Sequence, residues 1–416
     1  MMIMMSLGMR AVQSQVWQPA LAKPKARAAA DPQVKGRAFG AGASVAMLGA
    51  SAICCRRARG RRSVCNAVRV VVTGGCGYIG SHTVLELLKA EYEVLVLDNL
   101  SRSRSSSIDR VLALAAREHH LAASDVNRRL AFKQVDLCDV KMLEDVLAGV
   151  KECDAVLHFA GYKSVGESMQ KPDMYWDNNV GGFVNLMHLL EKYQVSNRVL
   201  LSSSCTVYKP SSEKISEDSE LQPTCPYGDT KLKQEQILQC KIEDGRNWNG
   251  CALRYFNPAG AHNSGLLGEV PHALSPCMFI PRLGQIALGQ RPNLEIFGKD
   301  YDTVDGTAIR DYLHIEDVAE AHVAALEHLK NSQGFDAFNL GTGHGHTVLE
   351  VLSAFETVCG RKLPHIFSER RDGDAPFAVA NPSRAHLVLG WRAHRSLSEI
   401  LASHWEFVQQ NPDGFD

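Results

Sequence analysis

No two cysteines in this chain are spaced Cys-x-x-Cys. The twelve cysteines fall at irregular intervals, and Cys54 and Cys55 are adjacent. That spacing argues against a zinc site and against a disulfide framework. It leaves most thiols as small buried hydrophobes in a reducing compartment. The sixteen histidines do not cluster convincingly either. His344 and His346 share a Gly-rich loop, where a polar surface role is expected. No metal is expected. An excess of one charge is also missing: 45 basic residues stand against 46 acidic ones, for a net charge of −1. No general attraction to nucleic acid or to an anionic membrane follows. Internal repeats are absent. The 416 residues, 45% hydrophobic and 22% charged, are ordinary for a globular protein with room for two domains.

Acid is scarce in one region. Residues 1–66 hold eleven Lys or Arg and a single acid, Asp31, and are rich in Ala, Ser and Met. A basic, acid-poor leader of this kind reads first as a plastid or mitochondrial transit peptide. Long apolar runs are lacking too. Residues 38–55 are eighteen without a charge, the lower limit for a membrane span, but they are mostly Gly, Ala and Ser. The basic block RRARGRR follows at 56–62. A signal anchor is therefore the second reading. An inert disordered extension, leaving the protein cytoplasmic, is the third. Membrane attachment is expected only if 38–55 is an anchor.

What is present is organised around residues 68–90, VRVVVTGGCGYIGSHTVLELLKA. Val68, Val70, Val71 and Val72 make a β-branched run too short for a helix. Gly74, Gly77 and Gly80 then recur every third residue. From Ser81 the pattern is helical, with Val84, Leu87 and Leu88 on one face. A strand that turns sharply into a helix presents free N–H groups and a positive dipole end, a site for a pyrophosphate. The spacing is G-x-x-G-x-x-G, not the usual G-x-G-x-x-G, but the strand before and helix after are the context that fingerprint requires. A second strand, residues 94–97, ends in Asp98, eighteen residues after Gly80. An acid there can accept both hydroxyls of an adenosine ribose. The bland alternative is a tight βαβ turn without a ligand. In the serine-rich loop 101–107, Arg102 and Arg104 could hold a 2′-phosphate, but Asp98 would repel one. NAD is expected rather than NADP.

Further strands and helices alternate. A helix is expected over 108–117, a strand over 130–135 ending in Asp136, and a helix over 140–150. A strand over 155–159 leads to Ala160 and Gly161, and helix 183–193 leads to strand 198–201. Nearly continuous apolar strands alternating with helices give a doubly wound parallel α/β sheet, with ligand groups at the C-terminal strand ends. Strand 198–201 runs out into Ser202, Ser203, Ser204, Cys205, Thr206, Val207 and Tyr208 at that edge. Pro226 then opens a helix that puts Tyr227 and Lys231 one turn apart on one face. A phenol is a poor base at neutral pH. An ammonium one turn away and an oxidised nicotinamide would favour the phenolate. It could then take a proton from a substrate hydroxyl as the carbinol hydrogen leaves as hydride, with Ser204 bonded to the same hydroxyl. The competing reading of Tyr227 and Lys231 is a surface pair on a helix.

At these residues the chain resembles the extended short-chain dehydrogenase/reductase family, and within it the nucleotide-sugar 4-epimerases. The similarity runs from Val68 to the C-terminus. Its blocks include VTGGCGYIGSHT, LDNL, HFAGYKSVGES, DNNVGG, SSSCTVY, PYGDTK, LRYFNPAGAH, IFGKDYDTVDGTAIRDYLHIED and RRDGDAP. The resemblance implies a Rossmann-type NAD domain at 67–256, rejoined by about 308–345, and a smaller, discontinuous α/β domain for a UDP-sugar at 257–416. It implies interconversion of UDP-glucose and UDP-galactose by oxidation at C4, rotation of the 4-keto sugar and re-reduction. Tyr227 would be the base, Lys231 its partner, and Ser204 and Thr206 would bond the 4-hydroxyl. NAD contacts would include Gly74, Gly77, Tyr78, Ile79, Gly80, Asp98, Asn99, Asp136, Phe159, Ala160, Lys163 and Asn178. UDP-sugar contacts would include Asn257, Phe297, Arg310, Arg371 and Asp374, the arginines being suited to a diphosphate. A homodimer through a helical face is also implied.

The chain departs from the family pattern in places. Lys209 replaces a usual Gly, Met278 a usual polar residue, and the loop 101–129 is longer. Ala378 stands where a small residue makes room for an N-acetyl group, so activity on UDP-N-acetylglucosamine is expected. The alternatives are a 4-epimerase of UDP-xylose/arabinose or UDP-glucuronate and, from another class, a non-catalytic NAD-sensing protein. A 4,6-dehydratase would need an acid pair where Cys205 and Val207 flank Thr206.

Overall fold

Six strands alternate with helices along the first part of the chain: β1 (Arg69–Thr73), β2 (Glu93–Asp98), β3 (Leu130–Gln134), β4 (Ala155–His158), β5 (Arg198–Ser204) and β6 (Asn249–Tyr255). Four short strands follow, β7 (Asn257–Ala259), β8 (Leu294–Phe297), β9 (Ile309–Arg310) and β10 (Tyr312–His314). Next come β11 (Gly334–Leu340), β12 (His346–Thr347), β13 (His365–Ser368) and β14 (Phe377–Ala378). The structure is a computed structural model that describes residues 69–119, 123–151, 153–245, 247–270, 278–371 and 373–415. The leader 1–66 and Val68 lie outside the described residues, so the readings placed on them stay expectations.

Seven strands form one parallel sheet in the order β11-β6-β5-β4-β1-β2-β3. The order reverses between β1 and β4. In a doubly wound sheet that reversal opens a crevice at the C-terminal strand ends. Alternation of side chains across the sheet builds two cores. Val70 and Val72 pack on one face with Val84, Leu88, Leu114, Val318 and Leu326. Val71 packs on the other with Leu143, Leu147, Leu186, Leu190 and Leu238. Each such buried side chain contributes about 1.5–3 kcal/mol of transfer free energy. β4, central in the sheet, is buried along its whole length.

A smaller core lies beyond the sheet. Leu294 and Ile296 of β8 join Ile280, Leu283, Phe355 and Ile400 from three helices. β8 pairs with β13, and β9 lies between β12 and β14. Contacts hold the described residues together as one unit. No helix among the described residues is long and apolar enough to cross a membrane.

The helix expected over 140–150 ends at Leu147, and three further differences lie nearer the crevice. The first helix starts at Tyr78 rather than Ser81, because Gly77 already serves as its N-cap. β5 continues through Ser204 rather than stopping at Leu201, because all three serines pair with β6. The longer loop after Ser101 carries two helices, Ser106–His119 and Ala123–Arg129, where one was expected.

Candidate active site

The crevice at the β1/β4 reversal is a cavity of about 230 Å³. Gly74, Gly77, Tyr78, Ile79, Gly80, Asp98, Asn99, Asp136, Phe159, Ala160, Lys163 and Asn178 all line it. Two glycines permit its floor. Gly74 has φ +71°, and a Cβ there would lie 2.5 Å from the Ala160 nitrogen. A Cβ on Gly80 would lie 2.3 Å from the Gly74 carbonyl. Gly77 caps the helix Tyr78–Lys89 without any side-chain hydrogen bond, so its N-terminal dipole faces the cavity uncompensated by a side chain.

Asp98 closes the far side at the end of β2. It is 7% exposed. Its carboxylate accepts from the Cys76 nitrogen at 2.9 Å, the Leu100 nitrogen at 2.9 Å and Ser103 Oγ at 2.8 Å. Burial pushes its carboxyl above the usual carboxylate range, and those three donors oppose the rise. Asn99 donates to Asp136 at 3.1 Å. Arg102 is committed elsewhere. It makes two 2.9 Å bonds to Glu167 and lies over the Tyr162 ring. A guanidinium already neutralised in this way is a poor 2′-phosphate site, which agrees with NAD. The uncapped helix end suits a pyrophosphate and the strand-end acid suits a ribose, so the residues fit NAD.

The cavity's inner wall carries the proton chemistry. Helix Pro226–Glu243 brings Tyr227 and Lys231 to one face, and both line the cavity. Cys225 caps this helix, its Sγ accepting from the Gly228 nitrogen at 3.4 Å. A Cβ on Gly228 would meet the Thr206 carbonyl at 2.5 Å. The missing side chain lets the helix rest on the Cys205–Val207 turn, which sets Tyr227 against Ser204. Ser204 accepts from the Thr206 nitrogen at 3.2 Å and from Thr206 Oγ1 at 3.0 Å. Lys231 is 4% exposed and donates to the Ser202 carbonyl at 2.7 Å.

The expectation that favours the phenolate joins Lys231 to an oxidised nicotinamide. With the chain's own groups alone, burial pushes Tyr227 well above its ordinary value, and a hydrogen bond with Ser204 only partly offsets this. Burial also brings Lys231 down, to about 8, while Glu235 pulls it upward. The ammonium spends its hydrogen bond on the Ser202 carbonyl, and the phenol is desolvated.

A second cavity, of about 670 Å³, lies on the other side of Tyr227. Ser204, Thr206, Asn257, Phe297, Arg310, Arg371, Asp374 and Ala378 line it. Tyr227 and Tyr255 line both cavities. Asn257 Oδ1 is buried without a hydrogen-bond partner, a polar atom poised for a ligand. Arg310 lies on β9 beside Ala378 of β14. Arg371 pairs with Asp374 at 2.7 Å and lies over the Phe297 ring at 4.6 Å. Lys209 is not in a left-handed conformation, so the turn needs no glycine, and its ammonium pairs with Glu220 at 2.9 Å. Met278 caps helix Phe279–Ala287 without a side-chain hydrogen bond.

Sequence reasoning passed over Asn179. It is fully buried, accepts from the Tyr162 nitrogen at 2.8 Å and donates to Thr230 at 3.1 Å, tying the strand-end loop to the Tyr227 helix. Its carrier is a π-helical turn, Trp176–Gly181, an irregularity common at functional sites. The Asn178–Asn179 doublet was the available signal. Tyr255, which hydrogen-bonds His322 at 2.6 Å, was also passed over.

Residues 70–341 match the family model described as the NAD dependent epimerase/dehydratase family. The UDP-glucose 4-epimerase of Bacillus subtilis (strain 168) is 45% identical, over 83% of this chain and 98% of its own length. UDP-glucose 4-epimerase 2 of Oryza sativa subsp. japonica is 44% identical over 83% of each chain. The structure of UDP-glucose 4-epimerase from Bifidobacterium longum, in complex with NAD+ and UDP, matches with a TM-score of 0.78 and 39% identity. It covers 84% of this chain and 100% of that one. With the glycine turn, the Tyr227–Lys231 helix and the paired cavities in place, the chain belongs to the NAD dependent epimerase/dehydratase family.

Proposed function

We propose that the chain interconverts UDP-glucose and UDP-galactose by reversible oxidation at C4. The observation that carries this reading is the place of Tyr227, in the wall between a dinucleotide cavity and a second cavity that Arg310 and Arg371 line. When bound, NAD supplies the acceptor and donor of hydride. Arg310 and Arg371 hold the diphosphate, and Asn257 satisfies its buried oxygen on the substrate. Ser204 and Thr206 hold the sugar's 4-hydroxyl. Tyr227 takes that proton, with the charge of Lys231 behind it, and returns it to the same oxygen after the tethered 4-keto sugar has turned over. Two carbinols of opposite configuration at C4 are thereby exchanged, with no net redox change.

A panel of UDP-sugars tests the reading. UDP-galactose and UDP-glucose are expected to interconvert. Turnover confined to UDP-xylose/arabinose or UDP-glucuronate would move the assignment to those sugars, and NAD binding with no turnover would make the chain a sensor. Ala378 adds a narrower proposal. A methyl beside Arg310 leaves room in the cavity, so UDP-N-acetylglucosamine is expected to turn over, and Ala378→Tyr is expected to remove that activity while sparing UDP-galactose. Absence of N-acetyl turnover, unchanged in the variant, would sink it. A homodimer and an organellar address complete the proposal. Support for the first is the exposed apolar Val184 on helix Gly182–Lys192, and for the second the basic leader. Sedimentation and peptide mapping of the mature N-terminus test them.

A further inference from the structure

The three serines that end β5 have three different partners. Ser202 offers its carbonyl to Lys231. Ser204 meets Tyr227 and Thr206. Ser203, between them, points to the opposite side of the sheet. Its hydroxyl donates to Glu235 Oε1 at 2.5 Å. Glu235 lies one helical turn beyond Lys231 and is 1% exposed. Arg254 of β6 grips its carboxylate with two bonds, Nη2 to Oε2 at 2.6 Å and Nε to Oε1 at 3.1 Å. Arg254 also donates to the Tyr208 hydroxyl at 2.8 Å, and Tyr208 donates to Asn339 of β11 at 2.7 Å.

The proposed proton chemistry uses neither Glu235 nor Arg254. Desolvating both is expensive, and a buried pair that only held the sheet could be replaced by packed hydrophobes without loss. Its place suggests a different reason for it. Lys231 has to keep a proton while almost wholly buried, and it donates a hydrogen bond to a neutral carbonyl. Among the described residues, Glu235 on its own helix and His158 on β4 act on it electrostatically and the Ser202 carbonyl on β5 takes its hydrogen bond, while Tyr227 and Tyr255 of β6 line the same cavity. Burial holds His158 neutral, down to about 3, with Thr73 and Gln234 at its two ring nitrogens. Burial also holds both tyrosines neutral. Glu235 is the anion of the set.

We propose that Glu235 is a positioning residue for the reaction: fixed by Ser203 and Arg254, it supplies the counter-charge that keeps Lys231 protonated beside Tyr227. The inference rests on the roles proposed above for Tyr227 and Lys231. Arg254 takes the remaining lone pairs of the carboxylate, so its orientation survives without solvent. Ser203 couples that orientation to the strand whose next residue, Ser204, faces the substrate cavity.

The test is the pH profile of kcat for the NAD-loaded protein, with melting temperature and bound NAD recorded for each variant. Glu235→Gln keeps the shape and removes the charge. Glu235→Gln with Arg254→Met removes the charge without stranding the guanidinium. In Glu235→Gln the alkaline limb is expected to move down by about one pH unit or more; in the double variant, which also removes the opposing guanidinium charge, it is expected to move the same way by less. KM for UDP-galactose is expected to stay within about twofold, since the charge acts on Lys231 and not on the nucleotide. Glu235→Asp, which keeps the charge, is expected to bring the limb back toward wild type. Folded, NAD-loaded neutral variants whose limb stays in place would overturn the proposal, whatever their melting temperatures. Failure of both neutral variants to fold would assign the pair to stability alone and overturn it as well. Loss of epimerisation in the wild-type protein would instead refute the underlying reading.

Discussion

Tyr227 is asked to be neutral at rest and anionic in reaction. Burial supplies the first state, and the second depends on positive charge brought close to the ring. Lys231 is the chain's own source of that charge, and with its pKa brought down by burial to about 8 it begins to lose the proton just above neutrality. The rate is therefore expected to fall as pH rises through about 8. Lys231→Met is expected to lower kcat by about 10²–10⁴-fold and to erase that limb, with NAD still bound. Initial rates across the pH range, set against NAD content, check both statements. At this scale the sequence disclosed the groups that carry chemistry, because Ser204, Tyr227 and Lys231 sit at a strand end and on a helix start. It did not disclose the direction of the Tyr227 shift, which burial decides. Nor did it disclose Asn179 and Glu235, whose partners are remote in the chain.

The helix Pro226–Glu243 and the glycine turn before Tyr78–Lys89 work through close backbone approach. Each has one substitution that separates its job from the other's. Gly80→Ala places a methyl 2.3 Å from the Gly74 carbonyl, inside the turn that would cradle the pyrophosphate. Purified Gly80→Ala is expected to lose most of its bound NAD, read from its absorbance. Gly228→Ala places a methyl 2.5 Å from the Thr206 carbonyl, between Tyr227's helix and the serine turn. It is expected to keep NAD, lose kcat and cost about 1–3 kcal/mol of stability. Equal NAD content in Gly80→Ala and wild type would count against the cradle. Long periodic elements were legible here: β1, β2, β4 and helix Gly182–Lys192 fall, within a residue or two, where the pattern puts them. The two-residue strands β9, β12 and β14 were not, since so short a segment has no period and exists only through its neighbours.

Across the whole molecule, buried histidines set the acid limit. His82, His158 and His314 are brought down to about 3, and His322 and His404 to about 4, all chiefly by burial. The unfolded chain takes up these protons as pH falls below about 6.5, while the folded chain does not until about 3–4. The stability they contribute is thus complete above about 6.5 and drains as pH falls toward 4. Melting temperature is expected to drop steeply over that interval, and a flat profile would contradict the burial of the set. The sheet order and both cavities follow from the alternating pattern, but the wall shared by the two cavities is a product of assembly, since β6 carries Tyr255 to it while β9 brings Arg310 to the second cavity. That wall is the centre of the account, and one comparison tests it most directly: UDP-glucose formed from UDP-galactose by NAD-loaded wild type and by Tyr227→Phe. The wild type is expected to interconvert the two sugars readily and the variant not above background, with equal NAD in both. Full activity in Tyr227→Phe, or no interconversion by the NAD-loaded wild type, would contradict it.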